Sequence, residues 1–443
     1  MPEPRETSNQ LRSVFYLLLI TLFFLFLLSF IPEFTIDYFH FKKINPLADV
    51  RENVSIDSVS TDSVFNKKDS IVKQPSKTIP YRGIEEYGKN NLSYFFKALS
   101  YSKKQPVRIA FFGDSFIEGD ILCGPFRDTL QQLYGGSGVG YMPITSSVNL
   151  FRTTILHEFK NWKTYSIVGN RNDFSPLSLP GYCFRPLPDN EVIYRAPRKK
   201  FITAKIFYEN NAPFLLKYSL DESVDTVWIN EYGKLKQYVF DQTNLNEVKF
   251  SFPVIDSIRV YGAAFEATTG ISVDNFSMRS NPGMGLLFID SERMAQFNSY
   301  RNYQLIILQY GLNVLSENDS SGYLWYGHKM NLLIEELKKN FPESGILLIG
   351  VGDRSSNQDG KMGTMPTLMQ LRNVQRATAV KSHIAFWDMF EAMGGENSMV
   401  KYTEAIPPLA AKDYTHLTFR GGRKLAKKLA DALIQEKNKY EKQ

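Results

Sequence analysis

The sequence predicts an α/β domain with a parallel sheet, interrupted by an inserted antiparallel β-sandwich and preceded by a transmembrane helix. Three observations support this prediction. Residues 14–31 are apolar almost throughout and contain no charged side chain. Residues 146–268 hold short runs of alternating β-branched and aromatic residues, which are typical of antiparallel strands. On both sides of that region apolar strands alternate with helical patterns, as in a parallel sheet.

The apolar segment at residues 14–31 has about the length that a helix needs to cross the hydrocarbon core of a bilayer. No A-x-A cleavage pattern follows it, so we expect an uncleaved signal anchor. Basic residues flank it on both sides, and the positive-inside rule gives no orientation. A short N-terminal tail before a large domain favours anchoring in the inner (cytoplasmic) membrane with the folded part outside, in the periplasm.

The remaining chain divides by composition and pattern. The expected segments are a tail and anchor at 1–35, a flexible linker at 36–82, the first part of the α/β domain at 83–145, the inserted β-sandwich at 146–268 and the second part of the α/β domain at 269–443.

Within the α/β parts, strands and helices are predicted from apolar runs and helical spacing. The expected strands lie at 107–112, 305–308, 346–351 and 384–388, and the expected helices at 91–101, 120–134, 323–340, 368–381 and 421–437.

Composition excludes several classes of protein. With 43% hydrophobic and 14% aromatic residues, the 443-residue chain is globular rather than disordered. Its net charge of +6 is modest, and no basic patch with a reading element suggests nucleic-acid binding. Two cysteines, Cys123 and Cys183, exclude a disulfide framework and a Cys-based zinc site. We expect unpaired thiols, although a single pair stays open.

Ser115 is the first candidate for a chemical role. It stands in Gly113-Asp114-Ser115, directly after a predicted buried strand and before a helix. Ligands of parallel sheets bind outside the carboxyl ends of the strands, where helix N–H groups suit a developing oxyanion. The tripeptide alone, however, favours an ordinary turn with Ser or Asp as a helix cap. Asp114 is interpreted as a hydrogen-bonding residue of that turn.

His416 is the candidate general base for such a nucleophile. It ends Asp413-Tyr414-Thr415-His416, just before the last predicted helix. A carboxylate three residues before a His can reach its ring if the segment turns, and so fix the tautomer that a base requires. The other histidines lack this context and are expected to be surface or packed residues; they are His40, His157, His328 and His383.

Asn313 also follows a predicted strand, in Gly311-Leu312-Asn313. Its amide could donate a hydrogen bond to the same oxyanion, although an Asn in a turn after a strand is common. Each of the three motifs is weak alone. Together and in this order they favour a serine hydrolase.

These motifs resemble those of the SGNH (GDSL-like) hydrolase superfamily. FFGDSFIEGD at 111–120, LQYGLN at 308–313 and DYTHLTFRGG at 413–422 are similar to its first, third and fifth blocks. The resemblance covers roughly residues 91–440 and implies a three-layer α/β/α domain. It also implies Ser115 as nucleophile, His416 and Asp413 as triad base and acid, and Asn313 in the oxyanion hole.

A narrower resemblance is to bacterial peptidoglycan O-acetylesterases and the related O-acetyltransferases, whose SGNH domain holds a carbohydrate-binding-like sandwich. It rests on YGGSGVGYMP at 134–143, ISVDNFSMRS at 271–280 and MGGENSM at 393–399. The chain departs from the family in the second block. Ser280 stands where a glycine normally gives its backbone N–H to the oxyanion hole, and Gly283 is the alternative donor. A glycine there is favoured where φ is positive.

The resemblance implies a serine esterase that removes O-acetyl groups from cell-wall glycan or another extracytoplasmic polysaccharide through an acyl-enzyme. Its oxyanion hole would comprise Ser115, Ser280 and Asn313. Two alternatives stay open. One is an O-acetyltransferase supplied by a membrane-bound O-acyltransferase partner, and the other is a non-catalytic glycan-binding module. No cofactor and no metal are expected. The glycine-rich stretch at 135–140 is not expected to bind phosphate, because it follows a helix and lacks the Lys of a P-loop.

Overall fold

The computed structural model describes residues 81–169, 177–196, 203–240, 242–318 and 321–442, with residues 16, 20, 34–36 and 39–41. The chain divides into two compact units, Met1–Pro75 and Ser76–Gln443. In the first unit, strands β1 (Phe34–Ile36) and β2 (Phe39–Phe41) pair antiparallel. No helix among the described residues has both the length and the apolar character to cross a membrane. The predicted anchor at 14–31, apart from residues 16 and 20, and most of the predicted linker lie outside the described residues.

The second unit alternates strands and helices at both ends and contains strands alone in the middle. Its described strands are β3 (Ile84–Glu86), β4 (Pro106–Gly113), β5 (Gly140–Met142), β6 (Leu156–Ser166), β7 (Tyr182–Arg195), β8 (Thr203–Asn210), β9 (Phe214–Leu220), β10 (Ser223–Ile229), β11 (Gly233–Phe240), β12 (Glu247–Ser251), β13 (Arg259–Glu266), β14 (Gly270–Ser277), β15 (Tyr303–Gln309), β16 (Gly345–Ile349), β17 (Ser355–Gln358), β18 (Lys361–Thr364) and β19 (Ala385–Trp387). Its described helices are α1 (Ser93–Ser100), α2 (Cys123–Tyr134), α3 (Ser291–Arg301), α4 (Leu324–Asn340), α5 (Leu368–Lys381), α6 (Met389–Met393), α7 (Ser398–Glu404) and α8 (Phe419–Tyr440).

A six-stranded sheet forms the centre of the α/β part, in the order β14-β4-β15-β16-β19-β3. Neighbouring strands from β14 to β19 are parallel, and only the edge strand β3 is antiparallel. Residues 107–113 of β4 and all of β16 are buried, because helices cover both faces of a parallel sheet. The predicted mixed α/β fold with a parallel sheet is confirmed.

Two groups of helices pack on this sheet. In one group α8 contacts both α1 and α2, and in the other α4 contacts both α3 and α5. The predicted helix at 368–381 coincides with α5, whereas α8 is longer than the predicted helix at 421–437. Helix α2 begins at Cys123 rather than at the predicted residue 120. Gly119 and Asp120 have φ values of +68° and +63°, so a 3-10 turn precedes the helix.

A nine-stranded antiparallel sheet interrupts the α/β part. Its path runs β10-β9-β12-β7-β13-β8-β11, with β6 paired to β7 and β5 paired to β13. Strands β7 and β13 meet only at the pair Phe184–Val260, so the sheet consists of two sections joined at one point. Both sections contribute buried side chains to one apolar core. This is the packing of a sandwich. The sheet begins with β5 at Gly140, before the predicted boundary at 146.

The glycine-rich stretch at 135–140 lies against backbone of β13 and β14. A Cβ at Gly136 would lie 2.4 Å from the carbonyl oxygen of Ile271, and one at Gly138 would lie 2.2 Å from that of Phe265. Glycines are therefore required here for close backbone approach, at the junction of the insert and the central sheet. The two cysteines are buried and not bonded to each other.

A buried cluster of charges joins the insert to the amino end of the central sheet. Glu266, the last residue of β13, accepts hydrogen bonds from Arg108 of β4 and Arg301 of α3 at 2.8 Å, and pairs with Lys205 of β8 at 2.5 Å. Arg301 also pairs with Asp274 of β14 at 2.8 Å. These contacts tie strands from both sheets to one carboxylate.

Candidate active site

Ser115 lies at the carboxyl edge of the central sheet. It follows β4, which is placed between β14 and β15, so the turns after these three parallel strands meet at one edge. The side chain of Ser115 is half-buried. Its backbone N–H has no hydrogen-bond partner within the described part of the chain. Ser115 therefore presents a hydroxyl and a free N–H on the same turn.

The turn that carries Asp413 and His416 is fixed by its own hydrogen bonds. The Oδ1 atom of Asp413 accepts the backbone N–H groups of Thr415 and His416, each at 3.0 Å. This is the local bonding by which Asp residues favour turns. The N–H of Ala411 also donates to the carbonyl of His416 at 2.8 Å. Helix α8 begins just beyond, and so the imidazole is held at a defined place.

Ser115, His416 and Asp413 form one chain of hydrogen bonds. Ser115 Oγ lies 3.0 Å from His416 Nε2, and His416 Nδ1 lies 2.7 Å from Asp413 Oδ2. The side chains of His416 and Asp413 are 41% and 49% exposed, so the site is open to solvent and to large ligands. Partial burial raises the pKa of Asp413, but hydrogen bonds from His416 and Thr415 outweigh it, and the pKa is lowered. Asp413 is therefore an anionic acceptor for the Nδ1–H tautomer of the ring.

The loop after β14 holds Ser280 and Gly283, the alternative donors of the second block. The N–H of Gly283 donates to Asn281 Oδ1 at 2.8 Å, whereas the N–H of Ser280 has no partner among the described residues. Ser280 has a φ of +60°, in the left-handed region that favours glycine. This geometry explains why a glycine suits the position, and it favours Ser280 over Gly283 as the free donor.

Asn313 follows β15 on the other side of Ser115. Its Nδ2 atom donates to Asp114 Oδ2 at 3.2 Å and makes a longer contact of 3.4 Å with the carbonyl oxygen of Asn281. The turns after β4, β14 and β15 are thus linked through this one amide. The side chain of Asn313 is exposed at the edge.

Asp114 is fully buried beneath these groups, with 0% of its surface exposed. Its Oδ1 atom accepts the N–H of Phe116 at 3.0 Å. Burial raises the pKa of Asp114 to about 7, although the Phe116 N–H, His416 and Asn313 each act to lower it. The sequence predicted a hydrogen-bonding role in the turn, but not the link to Asn313. Neither this link nor the part played by Asn281 had a sequence signal, since both depend on contacts between distant segments.

A groove adjoins Ser280. A cavity of about 710 Å³ is lined by Glu118, Arg279 and Ser280 of the α/β part and by residues of the insert, including Phe159 and Trp162 of β6. The insert therefore forms one wall of a groove whose lining includes Ser280, the candidate oxyanion donor. Within the described ranges, no group of His, Cys, Asp and Glu side chains could hold a metal ion.

Comparison with known proteins supports the fold. No family model and no curated protein matches the sequence. A solved structure of a peptidoglycan O-acetylesterase is similar, with a TM-score of 0.68 and 21% identity over 81% of this chain and 100% of that chain. Over 81% of its length, the chain therefore has the fold of that solved structure.

Two further solved structures are more distantly similar. An acetyl xylan esterase has a TM-score of 0.29 and 16% identity over 37% of this chain and 82% of its own. A family two carbohydrate esterase from Cellvibrio japonicus has a TM-score of 0.27 and 9% identity over 68% of this chain and 99% of its own. Scores of this size carry no conclusion about function.

Proposed function

We propose that this chain is a serine esterase of the SGNH hydrolase type that removes O-acetyl groups from peptidoglycan or another extracytoplasmic polysaccharide. The observation that carries the proposal is the hydrogen-bonded chain from Ser115 through His416 to Asp413 at the carboxyl edge of the sheet. Its distances of 3.0 and 2.7 Å suit a nucleophile, a base and an orienting acid. The likeness to a peptidoglycan O-acetylesterase supports the same class of reaction.

The proposed reaction has two halves. In the first, His416 Nε2 takes the hydroxyl proton of Ser115 as Oγ bonds to the acetyl carbon, and Asp413 stabilises the imidazolium. The imidazolium then gives that proton to the sugar oxygen as the ester bond breaks, leaving acetyl on Ser115. In the second half, His416 takes a proton from water, the hydroxide bonds to the acetyl carbon, and acetate leaves as Ser115 regains its proton.

Three donors are proposed to stabilise the oxyanion of each tetrahedral intermediate. They are the backbone N–H groups of Ser115 and Ser280 and the side-chain amide of Asn313. The two N–H groups have no other partner among the described residues, and the 3.4 Å contact of Asn313 with Asn281 is weak enough to be exchanged. Losing one such donor typically costs about 3–4 kcal/mol of transition-state stabilisation.

The groove beside Ser280 supports a glycan substrate. It combines polar residues with the aromatic side chains of Phe159 and Trp162, and its lining includes Ser280, one of the proposed oxyanion donors. Sugar rings present apolar faces and hydroxyl edges, which match such a lining. We place the glycan chain along the insert with its acetylated hydroxyl at Ser115.

A second candidate is O-acetyl transfer. Residues 14–31 are the observation that favours it, since a membrane anchor would hold the site near a membrane-bound O-acyltransferase that supplies acetyl groups. The acyl-enzyme on Ser115 would be the same, and a sugar hydroxyl would replace water in the second half. In both candidates we propose one N-terminal helix in the cytoplasmic membrane and an extracytoplasmic catalytic domain.

The test compares the full-length chain with Ser115→Ala on O-acetylated peptidoglycan. We expect free acetate from the wild type and none from the variant. Acetyl transfer to added glycan that exceeds acetate release would favour the transferase. Binding of glycan without any turnover, unchanged in Ser115→Ala, would contradict both and leave a binding module.

A further inference from the structure

Asp114 is a buried carboxylate without a cation. None of its side chain is exposed, and the groups that act on its charge are Phe116, His416, Gln309 and Asn313, with no Lys or Arg among them. A buried charge is costly unless it is paired or fully hydrogen-bonded. A carboxylate that served only to shape a turn could be replaced at lower cost by Asn or Ser, which make the same local hydrogen bond to the backbone. The second oxygen of Asp114 must therefore have a role beyond the turn.

That second oxygen holds the amide of Asn313. Asp114 Oδ1 accepts the Phe116 N–H at 3.0 Å, and Oδ2 accepts one Asn313 N–H at 3.2 Å. An amide group is planar, so fixing one N–H fixes the direction of the other. The second N–H has only the 3.4 Å contact with the Asn281 carbonyl. Asn281 follows Ser280, so the amide is held beside the second candidate donor.

We infer that Asp114 is a positioning residue, whose ionised carboxylate orients the Asn313 amide so that its second N–H meets the substrate oxyanion. The inference rests on the proposed esterase function. A neutral acid keeps one good acceptor oxygen, for which Phe116 and Asn313 then compete. Protonation of Asp114 would release the amide and weaken the oxyanion hole while leaving the triad in place.

The titratable groups that face Asp114 are His416, Tyr310 and Tyr326. Burial raises the pKa of both tyrosines well above its usual value, so they stay neutral. Burial also raises the pKa of Asp114 to about 7. Protonation of Asp114 should therefore contribute to the acid limb of the activity profile.

A double-mutant cycle on a chromogenic acetate ester tests the inference. The full-length variants are Asp114→Asn, Asn313→Ala and the pair. We expect Asn313→Ala to lower kcat by about 100-fold or more, the usual cost of one oxyanion donor. Asp114→Asn should lower kcat by up to a similar factor with little change in KM, because the lost interaction belongs to the transition state. The pair should be no slower than Asn313→Ala alone.

Asp353→Asn is the matched control. Asp353 is equally buried and accepts a backbone N–H, from Met399 at 2.7 Å, together with the hydroxyl of Thr364 at 2.8 Å. The same substitution there should leave kcat unchanged. The inference would be overturned if the fold-losses in kcat of Asp114→Asn and Asn313→Ala multiplied in the double variant. It would also be overturned if Asp114→Asn kept the wild-type kcat. An inactive wild type would instead overturn the proposed function and the inference with it.

A second measurement does not depend on how Asp114→Asn folds. On the acid side, the logarithm of kcat against pH should fall more steeply in the wild type than in Asn313→Ala, since protonation of Asp114 weakens the oxyanion hole only while Asn313 is present. In Asn313→Ala the slope should be smaller by up to one, because Asp114 then has no amide to orient. Equal slopes in the two proteins would overturn the inference.

Discussion

Asp114 and Glu266 are both fully buried carboxylates. Asp114 follows the carboxyl end of β4 in the parallel sheet, and Glu266, from the insert, contacts Arg108 near the amino end of the same strand. Glu266, at the amino end, is paired with Arg108, Arg301 and Lys205, and these cations overcome its burial and lower its pKa well below the usual value. Asp114, at the carboxyl end, has hydrogen-bond donors but no cation, and burial raises its pKa to about 7.

The difference in charge pairing distinguishes a carboxylate that stabilises the fold from one that serves the candidate active site. At the amino end each carboxylate is paired with at least one cation, and the cluster fastens the insert to the central sheet. At the carboxyl end an uncompensated carboxylate is kept beside Ser115, which costs stability. Proteins retain such local costs mainly at functional sites. Substitutions at the two ends should therefore affect different quantities, activity at one and stability at the other.

The largest expected effect is on activity at the carboxyl end. His416→Ala removes the proposed base, and we expect kcat to fall by about 10,000-fold or more. The melting temperature should change little, because the side chain is 41% exposed. His328→Ala is the control, since His328 is an exposed histidine of α4, and it should keep full activity. If His416→Ala kept its activity, the claim that residues at the carboxyl end of the sheet determine activity would be wrong.

Glu266→Gln should give the largest change in stability. It leaves Arg108, Arg301 and Lys205 without their shared partner, and breaking a buried ion pair on one side costs about 3–5 kcal/mol. Urea unfolding measures the loss, while kcat per folded molecule should stay at the wild-type value. Glu158→Gln removes an exposed partner of Arg195 and should cost no more than about 1 kcal/mol. Equal losses in both variants would contradict the account.

The two carboxylates should also give opposite dependences of stability on pH. The pKa of Asp114 is raised from 3.8 to about 7, so the folded state binds more protons than the unfolded state over that interval. Its contribution to the free energy of unfolding therefore falls as pH rises, by at most about 1.4 kcal/mol per pH unit. The lowered pKa of Glu266 means that its contribution is complete above the usual glutamate range and is lost in acid.

Urea unfolding of the wild type and Asp114→Asn at pH 5 and pH 8 checks this sign. The difference in free energy of unfolding between Asp114→Asn and the wild type should favour the variant more at pH 8 than at pH 5, although the variant loses activity. A difference that is the same at both pH values would show that Asp114 does not titrate in this interval.

The smallest effect is expected at Ser280. Its φ of +60° strains a serine, so Ser280→Gly should relieve the loop and change stability by less than about 1 kcal/mol. The backbone N–H remains, and kcat should stay within a factor of about two, since no donor is lost. Ser280→Val, with a β-branched side chain that disfavours this conformation, should lower both stability and activity. Full activity in the Val variant would argue against Ser280 as a donor.

The sequence predicted those parts of the site that are local in the chain. Asp413 and His416 lie three residues apart in one turn, and Ser115 follows a strand whose apolar run is unmistakable. The mixed fold followed from the same alternation of strands and helices. The roles of Ser115, His416 and Asp413 remain predictions, which the geometry supports.

The features that the sequence did not predict depend on contacts between segments that are distant in the chain. The link between Asp114 and Asn313 joins residues 199 positions apart, and no local pattern encodes it. The choice between Ser280 and Gly283 required knowing that Asn281 already occupies the N–H of Gly283. The pairing of β5 with β13 could not be read from the short Gly140–Met142 segment, because its partner lies more than a hundred residues away.

The most direct test of the central claim is covalent labelling of the nucleophile. The full-length chain would be treated with a fluorophosphonate, which reacts with activated serines, and the modified peptide would be identified by mass spectrometry. We expect one label, on Ser115, that is lost when His416→Ala removes the base. Labelling of another serine, or an enzyme that hydrolyses acetate esters while Ser115 stays unlabelled, would contradict the account.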